Sequence, residues 1–104
     1  MLQALFQESG LSKVALAKRA GTSEVYLHQI LPGMRTPSRD RTICLCFDLS
    51  ATLEQTQELL KRSGYTQLYA RNRRDAIIIY GLLHTMELQE VNDRLFAENE
   101  ETLF

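Results

Sequence analysis

No stretch of the 104-residue chain approaches the roughly 18 to 20 consecutive apolar residues that a bilayer span requires, so no membrane partner is expected. The opening residues, MLQALFQESG, lack the basic flank and apolar stretch of a cleaved secretion signal, which makes a cytoplasmic protein the expectation. Proline occurs only twice and glycine five times, and there is no low-complexity tract. Together with 44% apolar residues, this fits a single domain that buries its own core.

Cysteine is also scarce. Both copies lie in ICLCF, and residues two apart on a helix point about 200° away from each other, so Cys44 and Cys46 cannot readily form a bridge. The plain reading is two reduced core thiols. A zinc site with His28 or His84 would need ligands converging from separate helices. Paired acids with a base, metal-ligand spacing and a phosphate-cradling glycine loop are all missing, so neither an enzyme nor a cofactor is expected.

What the chain does have is helical periodicity. Apolar spacing and capping residues predict seven helices: near 2–8, from behind Ser12 to Ala20, 23–31, 39–48, 53–63, 73–84 and 87–97, followed by an acidic tail expected to fray. Thr52 with Gln55 reads as a capping box. The run AIIIYGLLH is β-branched enough for a strand but has no partner strand, so it is read as helix. The fold class expected is all-α.

An echo recurs at a spacing of 35 residues. Arg39-Asp40 returns as Arg74-Asp75, Ile43 as Ile78, Leu53 as Leu88 and Leu60 as Leu95, with conservative pairs Thr56/Val91, Gln57/Asn92 and Glu58/Asp93. The matches respect the helix boundaries, which suggests a duplicated helical hairpin whose second copy packs on the first.

Charge is uneven although the net is −1: residues 1–41 hold six Lys/Arg against three Asp/Glu, and 42–104 hold six against ten. The basic end contains LAKRAGTSEVYLHQI, where Gly21 can take the left-handed conformation that closes one helix and swings the chain into the next. Leu16, Ala17 and Ala20 face Leu27 and Ile30 across that corner. Tyr26 joins the inward sector, leaving Glu24, Val25, His28 and Gln29 outward.

With Leu16-Ala17, Gly21, Leu27, Ile30, Gly33, Pro37-Ser38, Leu45, Cys46, Leu49 and Leu53 in order, residues 11–60 resemble the helix-turn-helix domain of the lambda repressor and Cro superfamily, often called Xre-type. The resemblance implies a lambda-repressor-like core over 1–64, extended by a helical hairpin over 65–104 that the minimal family domain lacks. It further implies transcriptional regulation through sequence-specific binding of double-stranded DNA. Ser23, Glu24, Val25, His28 and Gln29 would then contact bases, and Lys13, Thr22, Arg35, Arg39 and Arg41 phosphates. Family members of this kind read paired half-sites as dimers, so a homodimer with the sixth or seventh helix in its seam is expected.

Two further readings come from the residues. The cluster ARNRRD at 70–75 is either a solvated helix start or a second contact to DNA or an acidic partner. The apolar sixth helix is either the centre of the fold or an interaction seam, which supports the alternative of a helical adaptor that binds protein.

Overall fold

The structure, a computed structural model, describes residues 1–104 and contains seven helices and no strand. They are α1 (Leu2–Ser9), α2 (Lys13–Ala20), α3 (Glu24–Ile30), α4 (Arg39–Asp48), α5 (Leu53–Arg62), α6 (Arg73–Leu83) and α7 (Leu88–Ala97). No helix is long and apolar enough to cross a membrane. Ser12, Ser23, Ser38, Thr52 and Asn72 each accept a hydrogen bond from the backbone N–H three residues on, satisfying a donor that the first helical turn leaves orphaned. Thr52 and Gln55 form the expected reciprocal box.

Two apolar clusters share α4 and α5. The first joins α1, α2 and α3 to one side of the pair through Leu16, Leu27, Ile30, Leu45, Leu49 and Leu59. The second joins α6 and α7 to the other side through Ile43, Phe47, Leu60, Ile78, Val91 and Leu95. Cys46 belongs to the first and Cys44 to the second, so the two thiols point to opposite sides of α4, and burial pushes both up to about 11. Gly81 permits the close approach of α6, because a Cβ there would collide with Val91 and press on Phe47.

The 35-residue echo is structural. Helices α5 and α7 have the same length at the same offset, Ile43 and Ile78 are both fully buried, Leu60 and Leu95 likewise, and Leu53 and Leu88 are both half-buried. The correspondence extends well beyond the pairs visible in the sequence. Ser50 and Thr85, closing α4 and α6, both take positive φ (56° and 49°), as do Gly64 and Asn99 behind α5 and α7 (78° and 59°). Leu68 and Leu103, in the extended segments that follow, are both buried.

Each of those segments is held by the same device. Gln57 Oε1 accepts from Leu68 N at 2.7 Å, and Asn92 Oδ1 accepts from Leu103 N at 2.7 Å. Residues 98–104 therefore do not fray: Leu103 is buried, and Asn92 also donates to Phe104 O. Burying one leucine and satisfying its backbone offsets the ordering cost of a short tail.

Arg39 and Arg74 complete the repeat. Arg39 donates to Thr66 O at 2.8 Å and Gln67 O at 3.4 Å; Arg74 donates to Glu101 O at 2.7 Å and Thr102 O at 3.3 Å. Each also crosses to the other copy, Arg39 to Asp75 at 3.5 Å and Arg74 to both oxygens of Asp40 at 3.2 and 3.1 Å. Reciprocal contacts of this form are what a two-fold axis generates. Units 38–69 and 73–104 are thus paired about an approximate internal dyad. In ARNRRD, Arg73 pairs with Glu98, while Arg74 and Asp75 are consumed by this clasp.

Two outcomes follow. Gly21 sits at φ 64° with open space where a Cβ would lie, so Gly21→Val acts through backbone strain and should cost about 1 to 3 kcal/mol in chemical denaturation. An unchanged midpoint would refute that account of the turn. Arg74→Ala should cost about 2 to 4 kcal/mol, because it strips a largely buried guanidinium from a carboxylate and two carbonyls. In a double-mutant cycle, Arg74→Ala and Asp40→Ala should be non-additive, and strict additivity would dissolve the clasp.

Candidate nucleic-acid interface

The turn from α2 to α3 occupies Gly21, Thr22 and Ser23. Gly21 N donates to Lys18 O and Thr22 N to Ala17 O, closing α2, while Ser23 Oγ accepts from Tyr26 N and opens α3. Leu16 and Leu27 are fully buried across the corner and Ile30 nearly so. That packing fixes the rotation of α3 and leaves Glu24, Val25 and His28 exposed, with Gln29 half-buried beside them. Val25 keeps 67% of its surface exposed.

Around this sector the cations divide into two groups. Lys13 lies at the start of α2, and its Nζ stands 3.1 Å from His28 Nδ1, joining the two helices on their outer side. Arg35, in the loop after α3, donates to Gln29 Oε1 at 3.5 Å while its guanidinium lies 5.2 Å over the Tyr26 ring. These two border the exposed face. Arg41 instead caps the carboxyl end of α2 by donating to Ala20 O at 3.2 Å, and lies 5.9 Å over the same tyrosine. Arg39 is engaged in the clasp on the far side of α4.

The sequence-based candidates are therefore brought together in part. Ser23, Glu24, Val25, His28 and Gln29 share one sector with Lys13 and Arg35, and Thr22 lies half-buried in the turn at its edge. Arg39 and Arg41 have partners within the fold. Chemically, the sector offers a carboxylate acceptor at Glu24, a methyl surface at Val25, an amide donor at Gln29 and two flanking cations. No family model, no curated protein and no solved structure matches the chain.

One group escaped the sequence reading. Asp48 ends α4 with only 6% of its surface exposed, and its Oδ2 is the one buried side-chain oxygen or nitrogen without a hydrogen-bond partner. The signal was a lone acid within the apolar run ICLCFDL. Burial pushes its pKa up to about 6, with Arg19 and Arg41 opposing the rise and Glu87 adding to it.

An unfolded aspartate titrates near 3.9, so folding favours the protonated acid. The stabilising contribution of Asp48 is then fully present below about pH 4 and is lost as the pH rises through about 6. Asp48→Asn should remove this dependence. Relative to that variant, the native chain should lose on the order of 2 kcal/mol between pH 4 and 7.5 in urea titrations. Parallel curves for the two proteins would contradict the assignment.

Proposed function

We propose that the chain is a regulator that binds double-stranded DNA sequence-specifically, with α2 and α3 acting as a helix-turn-helix of the Xre type. The observation that carries the reading is the exposed sector of α3: Glu24, Val25, His28 and Gln29 stand clear of the core while Lys13 and Arg35 flank them. In a major groove, Gln29 pairs with adenine, Val25 covers a thymine methyl and Glu24 accepts from a cytosine amino group. Lys13 and Arg35, with the Thr22 edge of the turn, supply the sequence-independent grip on phosphate. Arg39 and Arg41 contribute by holding the scaffold. This role places the protein in the cytoplasm, with no catalytic step and no cofactor.

Two cations per recognition helix provide little non-specific affinity, so the reading includes a homodimer that spans half-sites roughly 34 Å apart. The C-terminal unit offers the surface for it. In the first unit, Leu45 is covered by the α1–α3 half and Asp48 is buried; at the equivalent positions in the second, Tyr80 is 46% and Leu83 61% exposed. The same observation favours a second reading, a helical adaptor that receives a partner helix on that α6 face.

Selection from randomised duplexes followed by anisotropy titration at several salt concentrations separates the two. A DNA reader yields an enriched motif and an affinity that falls steeply with salt. Gln29→Ala should weaken the selected site by about 1 to 3 kcal/mol and spare random DNA, whereas Arg35→Ala should weaken both and reduce the salt slope by about 1. Failure to enrich any motif, with binding to random DNA unchanged in both variants, would reject the DNA reading.

A further inference from the structure

Tyr26 takes no part in the DNA contact proposed for α3, yet two cations converge on it. Its ring is half-buried and packed against the first apolar cluster, so the core fixes its place. The Arg41 guanidinium lies 5.9 Å from the ring centroid and is itself tied to the end of α2 through Ala20 O at 3.2 Å. The Arg35 guanidinium lies 5.2 Å from the same centroid. Two like charges repel, and the negative face of an aromatic ring offsets that repulsion.

Arg35 depends on this hold more than Arg41 does. Its backbone is fixed, since Arg35 N donates to Gln29 O at 3.0 Å, but its side chain is exposed and no acid pairs with it. A long side chain gives up rotamer freedom when it grips a ligand, and one already held in place gives up less. From its position over the ring, Arg35 also donates to Gln29 Oε1 at 3.5 Å, which restrains the amide of the exposed sector.

We propose that Tyr26 is a positioning residue for DNA recognition: its ring, braced by Arg41, holds the Arg35 guanidinium ready for a backbone phosphate and, through Arg35, orients the Gln29 amide toward a base edge. The inference rests on the DNA reading of α3. Tyr26 acts through its ring, so its hydroxyl is dispensable. A packing role alone would make Tyr26 matter for stability and leave the DNA affinity of the folded protein unchanged.

Titrations of full-chain variants on the selected duplex and on random DNA, at several salt concentrations, test it. Tyr26→Leu keeps an apolar side chain against the cluster and removes the aromatic face. It should weaken the selected site by about two- to fivefold, the scale of one exposed cation–π contact, and random DNA by less. The salt slope should keep its native value, because Arg35 keeps its charge. Tyr26→Phe should bind like the native chain, and Tyr26→Leu should add nothing on an Arg35→Ala background. In the free native protein, the ring should shift the Arg35 side-chain protons upfield in NMR spectra, a measurement that holds even where Tyr26→Leu fails to fold. Native binding that Tyr26→Leu leaves unchanged, a further loss on the Arg35→Ala background, or unshifted Arg35 protons would each overturn the inference and spare the DNA reading. A loss in Tyr26→Phe as large as in Tyr26→Leu would overturn it in favour of a hydroxyl contact. A native chain that binds no duplex removes both.

Discussion

Two arginines, Arg39 and Arg74, each bind an aspartate of the opposite unit and the carbonyls of a segment in their own, and the rest of the structure is arranged around them. A guanidinium presents five donors in a rigid fork, so one side chain can fix a helix start, an extended segment and a neighbouring helix together. A partly buried ion pair gives little net stability against its desolvation cost, but the wrong registers leave charges unpaired. The clasp thereby specifies how α4 and α6 meet, and the apolar contact of Ile43, Phe47, Leu60, Ile78 and Leu95 supplies the driving force.

Much of this was legible in the sequence, and the remainder failed for identifiable reasons. Capping residues and apolar spacing located all seven helices because both signals are local. The duplication was readable at Arg39-Asp40 and Arg74-Asp75 but not at Leu68 and Leu103, each isolated among polar residues, nor at Ser50/Thr85 and Gly64/Asn99, which share a backbone conformation rather than a residue type. The acidic composition of the tail points to fraying, whereas Asn92 and one buried leucine decide its fate. Arg39 illustrates a different limit. An arginine at a helix start suits a phosphate and a row of carbonyls equally well, and only the packing of a segment 27 residues away distinguishes the two. On the candidate interface, periodicity separated the inward Leu27 and Ile30 from the exposed Glu24, Val25 and His28, but the contact of Lys13 with His28 and that of Arg35 with Gln29 depend on side-chain reach across elements.

Comparing the two units shows how burial shapes residue choice on an unchanged backbone. Where the first unit meets the α1–α3 half it carries Leu45, Leu49 and Leu59, all in the core; the second has Tyr80, His84 and Arg94 at those places, all exposed. Those three make a surface cluster of their own, Tyr80 lying 4.0 Å from the His84 ring and 5.5 Å from the Arg94 guanidinium. Aliphatic side chains there would have left an apolar patch without a cover, and amphipathic ones tolerate water while keeping a contact surface.

The same comparison explains why the C-terminal unit is more than an appendage to the half that carries α3. A helix of a small bundle normally keeps one polar side, yet every residue from Thr42 to Leu49 is buried, because α4 is covered by α1–α3 on one flank and by α6 and α7 on the other. Removing the second unit would uncover Ile43, Cys44, Phe47 and Leu60 at once, with Arg39 and Asp40 stripped of their partners. Water would then reach the helix on which α2 and α3 are mounted, and the angle between them rests on Leu16 and Leu27 sharing one buried cluster with Leu45 of that helix and Leu49 just beyond its end. The geometry of the exposed α3 sector is therefore coupled to the internal dyad through α4, even though no residue of the C-terminal unit lies on the sector itself.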